Sequence, residues 1–388
     1  MLDAAFFDTA PSRLGTDSIK YMTPPAPARA DTIPMWVADM DFLPPPCVKG
    51  AVEKTLAQGI YGYTAVTAEY WEAVRAWIER RMGWETKAEW FVGVPNVLAG
   101  VSAAICAMTA EQDAVLLCEP VYYPFARIIR GLHRQLSVSP LREENGRYTF
   151  DFADIERKIT EDHVRLLLLC SPHNPVGRVW TREELAELGH ICCRHGVRIL
   201  SDEIHADLVF TPHTPIASIS GELANCTVTA MAPTKTFNLA GLPCAHLIIP
   251  NRQVRQAVSA ACGAAGHGAA NLLALAAARA AYREGDEWLD GLLDYLRGNY
   301  EELRAAFTEG SGVTVGPLEG TYLVWLDCRA FEPDAEKLNR FFLKEAGLWL
   351  DGGEMFGAGG AGFMRLNIAC PRSTLREAIA RLHSALQR

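Results

Sequence analysis

Four polar residues of the 388-residue chain stand just after short apolar runs: Tyr122 follows residues 114–118, Asn174 follows 164–170, Asp202 follows 197–200 and Lys235 follows 227–231. Chemically the four make a set. A lysine amine can form a Schiff base with an aldehyde, provided its surroundings let it shed its charge. An acid facing a pyridine nitrogen keeps that nitrogen protonated, so the ring can accept the electrons left when a bond at a substrate's α-carbon breaks. Asp202 is the available acid. Asn174 could donate a hydrogen bond to a phenolic oxygen on such a ring, and Tyr122 could lie against its face, which together read as a seat for pyridoxal phosphate. The phosphate needs donors, and Pro95-Asn96-Val97-Leu98-Ala99-Gly100 sits where a loop should enter a helix running to about Ala107. Free amides at a helix start, helped by the helix dipole, favour an anion there.

These residues need a frame. From about residue 48, short apolar runs alternate with amphipathic ones, the pattern of an α/β fold with a mostly parallel sheet wrapped by helices. In such a sheet the strand ends share one edge, where open α/β folds bind ligands. Thr181-Arg182-Glu183-Glu184 reads as a capping box opening a helix, and Gly196 suits the residue just past its end. Residues 24–46 are crowded with proline and predict an extended arm, which contains Trp36, Asp39 and Phe42. The small-residue stretch 258–282 predicts one buried helix. The expected division is an N-terminal arm that also forms part of the small domain (1–47), a large cofactor-binding domain (48–284) and a small C-terminal α/β domain (285–388), the last with helices from about Asp286 and about Ser373.

Charge and composition exclude other classes. Against 37 Lys and Arg stand 46 Asp and Glu, a formal charge of -9 with no basic block, so nucleic acid is not an expected partner. Residues 1–13 lack the basic segment and apolar core of an export signal, and the 258–282 stretch is too interrupted to span lipid, so the expected location is the cytoplasm, away from membranes. Eleven cysteines without CxxC spacing read as reduced thiols. His190, Cys192, Cys193 and His195 invite a zinc reading, but on a helix they spread over more than one face, and no metal is expected. No GxSxG elbow of a serine hydrolase occurs.

Three segments, Ser171-Pro172-His173-Asn174-Pro175-Val176-Gly177, Ser201-Asp202-Glu203-Ile204-His205 and Ala232-Pro233-Thr234-Lys235-Thr236-Phe237-Asn238-Leu239-Ala240-Gly241, resemble the signatures of fold-type I pyridoxal-phosphate enzymes of the class I/II aminotransferase superfamily, in the same order. Residues 36–42, Tyr61-Gly62-Tyr63 and Arg365-Leu366-Asn367-Ile368-Ala369 look like those of its MalY/PatB group of cystathionine β-lyases and cysteine-S-conjugate β-lyases. The resemblance implies an aspartate-aminotransferase-like fold, with Lys235 carrying the cofactor, Asp202 at its ring nitrogen, Asn174 and His205 near its phenolic oxygen and Tyr122 stacked on it. It implies that Lys235 and Tyr122 are catalytic, that Arg365, which clamps the substrate carboxylate, binds substrate together with Trp36 and Asp39, and that Tyr61 reaches the phosphate of the neighbouring subunit in a homodimer with shared active sites. Two departures concern the phosphate. Ala232 replaces a serine common in relatives, leaving Thr234 or Thr236 to supply a hydroxyl, and Asn96 replaces a glycine, a mild change if positive φ is required there.

The implied reaction is α,β-elimination of a small amino-acid substrate, L-cystathionine or another cysteine S-conjugate, to thiol, pyruvate and ammonia. An aminotransferase shares every cofactor contact and is the nearest rival. A regulatory protein that binds the cofactor but acts through a protein partner is the rival of another class.

Overall fold

A computed structural model describes residues 4–268, 270–307 and 310–387. The first three residues of the N-terminal arm, also part of the segment read against an export signal, and the last residue of the C-terminal domain lie outside them.

Seven strands build the central sheet: β1 (Phe91–Val94), β2 (Ala114–Glu119), β3 (Gln135–Pro140), β4 (Val164–Cys170), β5 (Arg198–Asp202), β6 (Thr227–Met231) and β7 (Ala245–Ile248), in the order β1-β7-β6-β5-β4-β2-β3. Pairings from β6 through β3 are parallel, and β7 is antiparallel to both β6 and β1. Only β7 therefore runs backwards, so β1, β2, β4, β5 and β6 all end at one edge. Every residue of β2, β5 but one, and β6 is buried, as a sheet covered on both faces requires. Helices Val97–Met108 and Arg252–Ala264 pack on one face; Phe152–Glu161 and Arg182–Arg194 pack on the other.

The helix Arg182–Arg194 opens with the reciprocal Thr181 and Glu184 capping bonds, and Gly196 beyond it has φ +69°. Both follow the sequence pattern. Three expectations need correction. The stretch 258–282 is not one helix, because a glycine-rich break with Gly266 at φ +68° ends Arg252–Ala264, and Asn271 caps a second helix, Leu272–Glu284. β5 runs on through Asp202, so that acid ends its strand instead of following it. The arm is extended only to Pro45; Pro46 opens helix Pro46–Leu56, a position where a missing N–H costs nothing.

The C-terminal part carries a four-stranded antiparallel sheet, Thr314–Val315, Leu323–Asp327, Phe363–Asn367 and Asp351–Gly352 in spatial order. Helices Asp286–Ala306 and Arg372–Leu386 cover it. The arm joins this part by pairing Ile33–Pro34 in parallel with Leu348–Trp349. One buried cluster runs through Trp77, Phe237, Tyr282, Trp288 and Leu323, so apolar packing is continuous across residues 284 and 285. Among the described residues no helix is long and apolar enough to cross a membrane.

Candidate active site

A cavity of about 220 Å³ opens where the strand ends meet, and its wall includes Asn96, Val97, Leu98, Tyr122, Asn174, Asp202, His205, Thr234 and Lys235. These residues span nearly 140 positions of chain but share one sheet edge, because each follows or ends a strand that runs towards it.

Lys235 stands in the one-turn helix Pro233–Thr236, and its Nζ donates to the carbonyl of Ala38 at 2.5 Å. Burial, reinforced by the nearby Arg365 guanidinium, lowers its pKa to about 8 against the pull of Asp39 and Asp202. The amine can therefore shed its proton near neutral pH, the condition for attack on an aldehyde. Burial has the opposite effect on Asp202, whose pKa rises to about 7 although the Ile204 amide donates to one oxygen and Lys235 lies near. Its neighbour Glu203 points elsewhere, bonding Ser201, His213 and the Ile216 amide. Burial lowers His205 to about 3, leaving a neutral imidazole whose Nδ1 has no partner. Tyr122 is pushed up to about 12 by burial and stays a phenol at neutral pH.

At the phosphate end, Asn96 has φ -157°, so the position needs no positive φ. It acts instead as the N-cap of Val97–Met108, its side chain accepting the Ala99 amide. The preceding amides of Val97 and Leu98 belong to the first turn, where no carbonyl lies one turn back to accept them. Of the two threonines, Thr236 is committed to Asp207 by a 2.8 Å bond, whereas Thr234 lines the cavity.

Opposite the sheet edge stands the arm. Arg365 is buried and donates to Asn174 Oδ1 (3.0 Å), to Trp36 O (2.8 Å) and to Asp351, its cross-strand neighbour. Its Nε has no partner. Trp36 stacks on Trp349, with ring centroids 4.5 Å apart. Asp39 is held bidentately by Arg13 at 2.8 and 3.2 Å, and Asp41 by buried Lys20 at 2.8 Å. Asp39 thus anchors the arm, although its charge is still felt at Lys235. Tyr61 is not brought to this cavity; it is 65% exposed, with its hydroxyl donating to Leu56 O at 3.4 Å.

The sequence reading missed four contributors. Ala38 offers a carbonyl shared by Lys235 and the Tyr322 hydroxyl (2.9 Å), Asp351 fixes Arg365, and Asn367 donates to the carbonyls of Val37 and Asp39, both at 2.6 Å. Ala38 and Asn367 lay within segments that carried a signal; Asp351 and Tyr322 did not. Among the described residues no group of three or more side chains could hold a metal ion; His195 pairs with Glu156 at 2.8 Å.

The residues fit pyridoxal phosphate. A buried carboxyl needs a facing cation to ionise fully, an imidazole nitrogen lacks a partner, a helix start leaves amides free, and a lysine is tuned towards its neutral form. The chain belongs to the class I and II aminotransferase family, whose model matches residues 30–382. It is 41% identical over 384 residues to cystathionine β-lyase PatB of Bacillus subtilis (strain 168), covering 98% of this chain and 99% of that one. It is 34% identical to Protein MalY of Escherichia coli (strain K12), with 92% of each chain covered. Among solved structures, cystalysin from Treponema denticola, which contains a pyridoxal 5'-phosphate cofactor, superposes with a TM-score of 0.95 at 34% identity, covering 100% of this chain and 99% of that one. The resemblance to the MalY/PatB group holds over nearly the whole length.

Proposed function

We propose that this protein is a pyridoxal-phosphate-dependent carbon-sulfur lyase that cleaves L-cystathionine or related cysteine S-conjugates. The observation that carries the reading is the Lys235 amine, tuned to about 8 and held against the Ala38 carbonyl in a cavity that also presents Asp202. The relatives' names point the same way.

Bound there, pyridoxal phosphate supplies an electron sink for a substrate joined through its amino group. Asp202 would keep the ring nitrogen protonated, Asn174 and His205 would serve the phenolic oxygen, Tyr122 would support the ring, and Thr234 with the amides of Val97 and Leu98 would hold the phosphate. Asn174 can serve because its oxygen is occupied by Arg365, which leaves its NH₂ to donate. Arg365, oriented by Asp351, receives the substrate carboxylate with a planar fork. With the substrate joined to the cofactor through its amino nitrogen, Lys235 Nζ would be free to take the α-proton as general base. The electron pair left at the α-carbon forms the bond to the β-carbon as the β-carbon to sulfur bond breaks, and thiolate departs with that bond's electrons. Water then converts the remaining fragment to pyruvate and ammonia. We further propose the division at residues 47 and 284, a cytoplasmic location, and a homodimer in which exposed Tyr61 reaches the partner's phosphate; its exposure in one chain supports that last role.

The deciding assay supplies purified protein with L-cystathionine and no keto acid. Pyruvate and free thiol in equal amounts support elimination; turnover that waits for 2-oxoglutarate contradicts it and favours transamination.

A further inference from the structure

Beside the cofactor cavity lies a second one of about 290 Å³, and Tyr122 belongs to the walls of both. It begins where Arg365 ends: that guanidinium lies 5.0 Å over the Phe356 ring, Phe356 is 5.7 Å from Tyr123, and Arg127 lies 4.9 Å over Tyr123. Phe356, Tyr123, Arg127 and Arg130 all line the groove. Arg142, Arg147 and Arg157 each hold a carboxylate, whereas the guanidinium groups of Arg127 and Arg130 have no carboxylate partner among the described residues. Two acids line the same groove. Glu354 has one oxygen bound by Asn339 at 2.8 Å. Glu119 accepts the Ala358 amide at 2.8 Å and lies so close beneath Gly357 (φ +102°) that a Cβ there would come within 2.2 Å of its carboxylate. The groove therefore presents unpaired cations and acceptors together, a match for a zwitterion and a poor match for an alkyl tail.

We propose that this groove is the subsite for the distal amino-acid head of the substrate, and that the enzyme selects thioethers whose sulfur carries a second zwitterionic α-amino acid. Arg127 and Arg130 receive the distal carboxylate; Glu119 and Glu354 supply acceptors for the distal ammonium. The assignment rests on the lyase reading and names the substrate class for it.

The test compares the holoenzyme with an Arg127→Ala, Arg130→Ala double variant. Substrates are L-cystathionine and S-ethyl-L-cysteine, which lacks the distal head. A third compound, the cystathionine analogue with methylene in place of sulfur, has no leaving group and reports binding by calorimetry. The ratio of kcat/KM for L-cystathionine to that for S-ethyl-L-cysteine should fall about tenfold in the double variant, carried by KM, and the analogue's Kd should rise by a similar factor. The corresponding Lys, Lys variant should recover part of both, since charge survives without the planar fork. An unchanged ratio with unchanged Kd, or equal losses on both substrates, overturns the subsite while leaving the lyase reading intact. Should the unsubstituted enzyme cleave neither thioether, the lyase reading fails, and the analogue's Kd alone decides the groove: weaker binding in the double variant supports it, equal binding overturns it.

Discussion

The two walls of the active site are built differently. On the sheet side, Asn174, Asp202, His205 and Lys235 each lie at or a few residues beyond the end of a buried strand, so strand order alone brings them together. On the arm side, residues 36–42 form no regular element and are held by distant groups: Arg365 on Trp36, Asn367 on Val37 and Asp39, Asn238 on Met40 and Phe42, and Lys20 on Asp41. The sheet wall fixes chemistry by local sequence; the arm wall fixes position by contacts that, Lys20 with Asp41 excepted, span 196 to 330 positions of chain. A chemical wall set on buried strands thus faces one placed by long-range hydrogen bonds and by the packing of Trp36, Met40 and Phe42.

The largest effect should come from the sheet wall. Lys235→Ala removes both the cofactor link and the base, and should lower kcat/KM for L-cystathionine by roughly 10³-fold or more while circular dichroism stays unchanged. Asp202→Asn should come next, costing on the order of 10²-fold in kcat. It carries an opposite signature in stability. Because burial raises the folded-state pKa of Asp202 to about 7, its contribution is fully present below about pH 4 and is lost as pH rises through 7. The cofactor-free Asn variant, with nothing to ionise, should therefore be more stable than the parent at pH 8 by roughly 1–3 kcal/mol, and equal to it near pH 4, in urea melts. Equal stability at both pH values would place Asp202 in a solvated setting.

The arm wall should respond more gently. Asn238→Ala removes a donor and acceptor from Met40 and a donor from Phe42, and should destabilise the protein by about 2 kcal/mol. It should raise KM more than it lowers kcat, since it loosens positioning and leaves the chemistry in place. If it lowered kcat as deeply as Asp202→Asn, the contrast between the walls would be wrong. The smallest effect is a shift in a profile. Loading of pyridoxal phosphate needs the neutral amine, and the folded-state pKa of Lys235 is lowered from 10.5 to about 8. The loading rate of cofactor-free protein should climb with pH and level off above about 8; a rise continuing past 10 would show an ordinary lysine.

The same contrast governs what could be read from sequence. Lys235, Asp202 and Asn174 were legible because a buried apolar run followed by a polar residue is a local pattern, and the capping box at Thr181 was legible for the same reason. Asp351 and Tyr322 were not, since their roles arise from the register of Asp351 against Arg365 and from a bond between Tyr322 and a carbonyl 284 positions earlier. The break in stretch 258–282 was missed because small residues suited a helix, and the glycines were not weighed against the cap at Asn271. Asn96 was read through the glycine it replaces, whereas its extended backbone makes it a helix cap.

The central claim is that one amine, Lys235 Nζ, takes up the cofactor. Protein reconstituted with pyridoxal phosphate, reduced with borohydride, digested and sequenced by mass spectrometry should carry the pyridoxyl label on the peptide containing Lys235 and nowhere else in comparable yield. A label on another lysine, or none, would contradict the account.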